Sequence, residues 1–334
     1  MAVTIKDVAE RAGVSVATAS RVLSGSRRVS PVLATRVREG ARDLGYRHNA
    51  VARALRHGRT ATVGMIVPEI GNPFFPSLVE AVERTLSDSG RDLLLCDAQQ
   101  DPQLELRRAR TLVGRQVDGL VIIPVSASAS RAALDEIAPS LPVVQLDRYV
   151  QGFPGDWVGV NDALGIGLAV EHVASLGAKR IAFVNAVLDS SSAQQRHSGF
   201  AHAVKRLRLP DDGLRLLGAY SAEWGRTAAL KMLKEPSLPD AVVCGNDEIA
   251  VGLLGEFRRH HVRVPEDVLV TGFDDIRFAA LTDPPLTTVR QPYETIASEC
   301  IRLLAARMKD TELPVQRIAI APSLVVREST GAAG

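Results

Sequence analysis

Thr4-Ile-Lys-Asp-Val-Ala-Glu-Arg-Ala-Gly13-Val-Ser-Val-Ala-Thr-Ala-Ser-Arg-Val-Leu-Ser-Gly25 is the stretch that decides the reading of this 334-residue chain. Thr4 is placed to cap a helix, with Asp7 three residues on as its capping-box partner. Ile5, Val8, Ala9 and Ala12 share one face of that helix. Gly13 suits a turn that needs a positive backbone angle. Ser15 caps a second helix running from Val16 to about Leu23. Its Ala19, Val22 and Leu23 point inward and leave Val16, Ala17, Ser20 and Arg21 outside. Two short helices on a tight turn form a helix-turn-helix, whose second helix enters the DNA major groove. Arg21 suits a bidentate bond to guanine, and Val16 and Ala17 suit thymine methyl groups. Thr18 and Ser20 are placed for phosphates or bases, and Thr4 and Ser15 complete the candidate DNA-contacting set.

Outward from this stretch, Ser30-Pro31 is a cap followed by proline at the first helical position. A third helix should end near Leu44, with Gly45 as its stop. Val32, Leu33, Val37, Ala41 and Leu44 are expected to pack it on the first two, with Tyr46 closing the core and Arg47 reaching a phosphate. Residues 1–60 hold twelve Lys and Arg against four Asp and Glu, a charge of +8, whereas the remainder carries −6. A basic head on an acidic body is the electrostatic footprint of a nucleic-acid binder.

The head resembles that of the lactose/galactose repressor (LacI/GalR) family of bacterial transcriptional regulators. The shared pattern is T-I-x-D-V-A-x-x-A-G-V-S-x-A-T-V-S-R-V-L, and this chain departs from it at Ala19, where valine is usual. The resemblance implies a helix-turn-helix domain over 1–48, a hinge helix and linker over 49–60, and an effector-binding and dimerisation core over 61–330. Asn49-Ala-Val-Ala-Arg-Ala-Leu-Arg56 corresponds to the hinge helix, too short to persist alone in water. By the resemblance it orders on operator DNA beside its dimer mate in the minor groove, where Leu55 wedges open a base step. Asn49, Ala52 and Arg56 accompany it, and Arg53 serves the phosphates.

After Thr60 short apolar runs alternate with amphipathic stretches. Strand-like runs are 63–67, 92–96, 119–123, 143–146, 180–184, 241–244 and 268–272; helix-like stretches include 76–87, 104–115, 165–176 and 248–259. This alternation predicts α/β units with parallel sheets, and the length suits two lobes. The resemblance implies a periplasmic-binding-protein-like core whose chain crosses between lobes near 160, 290 and 321. The N-lobe is then about 61–160 plus 291–320, and the C-lobe about 161–290 plus 321–330. Ligands in such folds sit beyond the carboxyl ends of the strands. The positions matching the family's effector pocket are Phe74 and Phe75, Asp147 and Arg148, Ser192, Arg196, Tyr220, Asn246 and Asp247, Asp274, and Gln291. Arg196 corresponds to the family's effector-binding arginine, Tyr220 to an aromatic stacking on the effector ring, and Asp274 to an acceptor for hydroxyls or amines. Asp247 has an alternative role as a helix cap, Phe75 as core, and Asp275 as a structural residue.

The expected partners are double-stranded operator DNA, a sugar, sugar acid or nucleoside effector, and a second copy of the chain. A homodimer is expected because the C-terminal residues carry no leucine heptad for a tetramer. Two heads on a two-fold axis imply a palindromic operator. The reading is a repressor of catabolic genes released by its ligand. Cys96, Cys244 and Cys300 show no disulfide or metal spacing, His260-His261 reads as solvated, and no cofactor is expected. No signal peptide or membrane-length apolar run is evident, so a cytoplasmic location is expected, nucleoid-associated on DNA. A solute-binding module or a sugar-processing enzyme could share such a body. The basic head argues against the first. The second finds no nucleophile elbow, phosphate loop or zinc motif, and adjacent Asp274 and Asp275 should point apart.

Overall fold

The computed structural model describes residues 3–24, 29–46, 60–210 and 214–331. The chain divides into two compact units, 1–60 and 61–334.

The first unit is built on α1 (Ile5–Ala12), α2 (Val16–Ser24) and α3 (Pro31–Asp43). The Thr4 amide and hydroxyl both donate to the Asp7 carboxylate, at 2.7 and 2.8 Å. Gly13 takes φ 61°, and a Cβ there would meet the Arg36 guanidinium at 2.7 Å. The Ser15 hydroxyl accepts the Thr18 N–H at 3.1 Å and starts α2. Val8, Ala9, Ala12, Ala19, Val22, Val37 and Ala41 form the small core, ringed by Ile5, Leu23, Ala34, Leu44 and Tyr46 among others. Val32 departs from expectation: it is 70% exposed. At 3.6 residues per turn it lies roughly 140° around α3 from Val37, off the stripe that Ala34, Val37 and Ala41 present.

The second unit holds two six-stranded sheets. The first has the order β11-β5-β4-β3-β1-β2, from β1 (Thr62–Val67), β2 (Asp92–Asp97), β3 (Gly119–Ile122), β4 (Val143–Leu146), β5 (Asp156–Val160) and β11 (Arg317–Ile320). The second has the order β12-β10-β9-β8-β6-β7, from β6 (Ile181–Ala186), β7 (Arg215–Gly218), β8 (Ala241–Cys244), β9 (Leu269–Asp274), β10 (Thr287–Arg290) and β12 (Ser323–Val325). All pairings are parallel except β10 with β12. The chain therefore passes between sheets after β5, after β10 and between β11 and β12. Central strands such as β3, β4, β6 and β8 are wholly buried, as parallel strands covered on both faces must be.

Helices fill the connections: α4 (Phe74–Asp88), α5 (Pro102–Gly114), α6 (Arg131–Ile137), α7 (Asp162–Ser175), α8 (Ser191–Arg206), α9 (Ala222–Met232), α10 (Asp247–Arg259) and α11 (Tyr293–Arg307). Asn161, Ser190, Ser221 and Asn246 cap α7, α8, α9 and α10 through side-chain oxygens. One close approach positions the site. A Cβ on Gly199 of α8 would sit 2.7 Å from the Ala163 backbone of α7. Glycine therefore lets these helices close until Arg196 and Asp162 meet.

Candidate effector cleft and DNA-reading helix

The carboxyl ends of both sheets converge on a cleft of about 610 Å³. Asp147 and Arg148 follow β4, Asp162 follows β5, Asp274 ends β9 and Gln291 follows β10. Asp147, Asp274 and Asp275 all take positive φ, at 59°, 114° and 53°. Backbone held there costs on the order of 1–3 kcal/mol per residue and clusters at functional sites.

Arg196 is the centre of the cluster. Its Nε donates to Asp162 at 2.7 Å and its Nη1 to the Gly245 carbonyl at 2.6 Å. Its Nη2 lies 3.5 Å from Asp274, and its guanidinium carbon 3.8 Å from the Phe273 ring centre. Burial works against its charge, but Asp162, Tyr220 and Asp274 outweigh burial and raise its pKa. Burial lifts Asp162 to about 6 and Asp274 to about 7 against the pull of Arg196. Gln291 donates to Asp274 at 2.8 Å. Half-buried Tyr220 lies between the cations, 5.8 Å from Arg148 and 5.7 Å from Arg196.

Arg148 sits over the Phe75 ring at 5.5 Å, beside Asp147 at 3.8 Å. Its Nε, Asp147 Oδ1 and Gln291 Oε1 are buried without hydrogen-bond partners. Of the expected effector residues Arg148 and Tyr220 line the cleft, whereas Asp147, Arg196, Asp274 and Gln291 lie behind its lining; the orphaned Arg148 nitrogen is the kind of atom that a hydroxyl-rich ligand satisfies.

Some expected effector residues are occupied by the protein itself. Asp247 accepts the Thr288 hydroxyl at 2.5 Å and the Ile276 N–H at 2.8 Å, so its carboxylate ties α10 to β10 and the segment after β9. The Asn246 side-chain oxygen accepts the Ile249 N–H at 3.0 Å. Ser192 is buried, 3.2 Å from the Ser190 hydroxyl. Phe74 lies in the core rather than on the cleft wall, its ring centre 5.1 Å from Phe75 and 5.7 Å from Tyr293. Asp275 pairs with Arg290 and Arg327, at 2.6 Å each, and so is turned to structure. Sequence reasoning missed Asp162, the closest carboxylate to Arg196. It also missed Glu69, Gln100, Asp189 and Glu248 on the cleft lining.

Contacts across the cleft join the lobes. The Ser126 hydroxyl donates to Asp189 at 2.9 Å, the Ala127 amide to the Asp189 carbonyl at 2.7 Å, and Arg277 pairs with Glu80. Beneath the Ser126 loop, Glu105 is fully buried and accepts the Val125 N–H at 2.9 Å. Burial raises it from an ordinary 4.5 to about 7. A raised carboxylate contributes stability that is present below pH 4.5 and is lost as pH rises through about 7. Glu105→Gln is therefore expected to stabilise the protein by about 1 kcal/mol at pH 8 and to lose that advantage at pH 5. Thermal denaturation at the two pH values reads this; equal shifts at both would contradict it.

In the first unit, Val16, Ala17 and Arg21 form the exposed face of α2, with Thr18 and Ser20 partly covered. The Ser15 and Thr18 hydroxyls are 2.9 Å apart and so engage each other. Asn49, Ala52, Leu55 and Arg56, with Arg47 and Arg53, lie outside the described residues.

An exposed recognition-type helix on one unit and a strand-end cleft on the other define a ligand-responsive DNA-binding regulator. Residues 4–49 match the family described as bacterial regulatory proteins, lacI family, and residues 170–330 match the periplasmic binding protein-like domain. The chain is 34% identical to the ribose operon repressor of Escherichia coli K12, over 98% of this chain and 99% of that protein. It is 32% identical to the transcriptional regulator DegA of Bacillus subtilis, over 99% of this chain and 98% of that one. A lac repressor dimer bound to operator and an anti-inducer superposes with a TM-score of 0.89 at 26% identity, covering 99% of this chain and 100% of that one. A complex of the regulator CelR with cellobiose gives 0.74 at 29% identity, covering 98% and 99%. The chain belongs to the lacI family of bacterial regulatory proteins. Among the described residues no helix is long and apolar enough to cross a membrane.

Proposed function

We propose that this protein is a homodimeric repressor of catabolic genes that binds a palindromic operator and is released by a sugar or related polyol. The observation that carries the proposal is the Arg196–Asp162–Asp274 cluster behind a cleft lined by Arg148 and Tyr220, with unsatisfied polar atoms on Arg148 and, behind the lining, on Asp147 and Gln291. Its mixture of cation, carboxylates and an aromatic face suits a hydroxylated ring. A relative named for the ribose operon and the regulator CelR solved with cellobiose support a carbohydrate, as does a lacI-family regulator from Enterococcus faecium solved with bound ribose. The protein works in the cytoplasm, binds its effector without turning it over, and is nucleoid-associated when on DNA.

The mechanism is a shift between lobe arrangements. A ligand bridging the lobes competes with the Ser126–Asp189 and Arg277–Glu80 contacts and biases the arrangement that DNA binding requires. Its leverage is limited to its differential affinity for the two states. The hinge residues Asn49, Ala52, Leu55 and Arg56 relay that change to the operator, with Leu55 as the minor-groove wedge. The test is fluorescence anisotropy on labelled operator with and without sugar. Wild type is expected to be released, and Asp274→Ala to bind DNA but ignore the sugar. A variant that responds like wild type would refute the pocket.

Exposed apolar side chains offer candidate surfaces for the dimer. Leu94 and Leu95 lie on edge strand β2, and Phe278 and Leu281 protrude from the other lobe, Leu281 at 79% exposure. Such residues mark association surfaces when they gather. Leu281→Asp is expected to weaken self-association about tenfold, some 1.4 kcal/mol, as read by sedimentation. An unchanged dimer would remove this surface from the interface.

A further inference from the structure

The charge around the cleft is unbalanced, and the imbalance names a chemical feature of the ligand. The lining side chains include Glu69 from one lobe and Asp189 and Glu248 from the other, against the single guanidinium of Arg148. Behind them Asp147, Asp162 and Asp274 face Arg196. Carboxylates outnumber cations in both layers; the inner three are buried, while Glu69 and Glu248 are half-buried and Asp189 is exposed. Asp189 is engaged by Ser126 across the cleft, and Glu69 accepts from Gln100 at 2.9 Å. Glu248 stands at the start of α10, and burial together with Glu69 raises it to about 7. Glu69 and Glu248 are thus mutually repelling groups on opposite walls of one cavity.

A second observation shows that this cavity is built for a ligand. Arg148 is more than nine-tenths buried, lines the same space and keeps Nε without a hydrogen-bond partner; buried Asp147 Oδ1 is likewise unsatisfied. Hydroxyls of a ligand would meet the Arg148 side chain, which lines the cavity in front of Asp147.

We propose that the cavity holds a subsite for a cation: the effector carries a protonated amine beside its hydroxyls, held between Glu69 and Glu248. This rests on the cleft being the effector site and deepens that reading. An ammonium group removes the repulsion and adds charge-assisted hydrogen bonds from both lobes. A neutral ring leaves the repulsion in place. A sugar acid or phosphate adds to it, so the same feature rejects anions.

The test uses full-length protein and matched series: glucose, glucosamine and glucuronate, then galactose, galactosamine and galacturonate. Affinity is read by calorimetry and operator release by anisotropy. In the series that binds, the amino sugar is expected to bind at least tenfold more tightly than its neutral parent, and the acid at least tenfold more weakly. Glu69→Gln and Glu248→Gln together should reduce the amine's advantage to within about twofold. Amine and parent within twofold on wild type, or an acid bound as well as either, would overturn the subsite while leaving the cleft as the effector site. Operator binding indifferent to every member of both series would tell against the carbohydrate reading itself.

Discussion

Arg196→Ala is expected to destabilise the core by about 3–5 kcal/mol and to abolish the effector response. That is the cost of removing one partner from a buried, hydrogen-bonded charge cluster. Without the guanidinium, Asp162 and Asp274 face each other and Asp147 with no cation at the centre, and the Gly245 carbonyl loses its 2.6 Å donor. Their pKa values, already raised to about 6 and about 7, rise further. A raised folded-state carboxylate pKa stabilises at low pH and is penalised as pH climbs through it. The deficit of the variant should therefore be largest near pH 8 and shrink toward pH 5. Denaturant unfolding at both values checks this. A variant within 1 kcal/mol of wild type at pH 8 would show that the cluster is not the anchor described.

Arg21→Ala is expected to weaken specific operator binding about 10- to 100-fold. A bidentate base contact discriminates by about 1–3 kcal/mol. Arg21 is on the exposed face of α2, whereas Ala19 and Val22 beside it are buried in the head. The thermal stability of the variant should therefore match wild type, as surface substitutions usually do within ±0.5 kcal/mol. Binding to scrambled DNA should change much less, and base preference should relax at one position of each half-site. Equal losses on operator and scrambled DNA would make Arg21 a phosphate contact instead.

The inward and outward faces of α2 were readable from sequence because helical period alone sorts its nine residues. Val32 was misread because it is apolar and close to the stripe in sequence but far around the helix. Asp147, Arg148 and Asp274 were legible as polar residues ending apolar runs, since β4 and β9 are buried and their ends stand out. Asp162 was not. It opens α7, two residues past Asp156-Trp-Val-Gly-Val160, a strand that begins on a charge and is interrupted by glycine, and its partner lies 34 residues on. Strands β11 and β12 were hidden for a related reason: they are half-exposed edges broken by Ala321-Pro322. Asp247 stood in the right place for a ligand contact, but only the tertiary structure shows Thr288 and Ile276 claiming its oxygens.

The most direct test of the central claim is selection of genomic DNA by the purified full-length protein, repeated with a panel of neutral sugars, amino sugars, sugar acids and nucleosides. The account predicts one palindromic site class, lost on addition of a hydroxylated compound. Specific DNA retained with every compound would contradict the effector cleft, and the absence of any specific site would contradict the DNA-reading head.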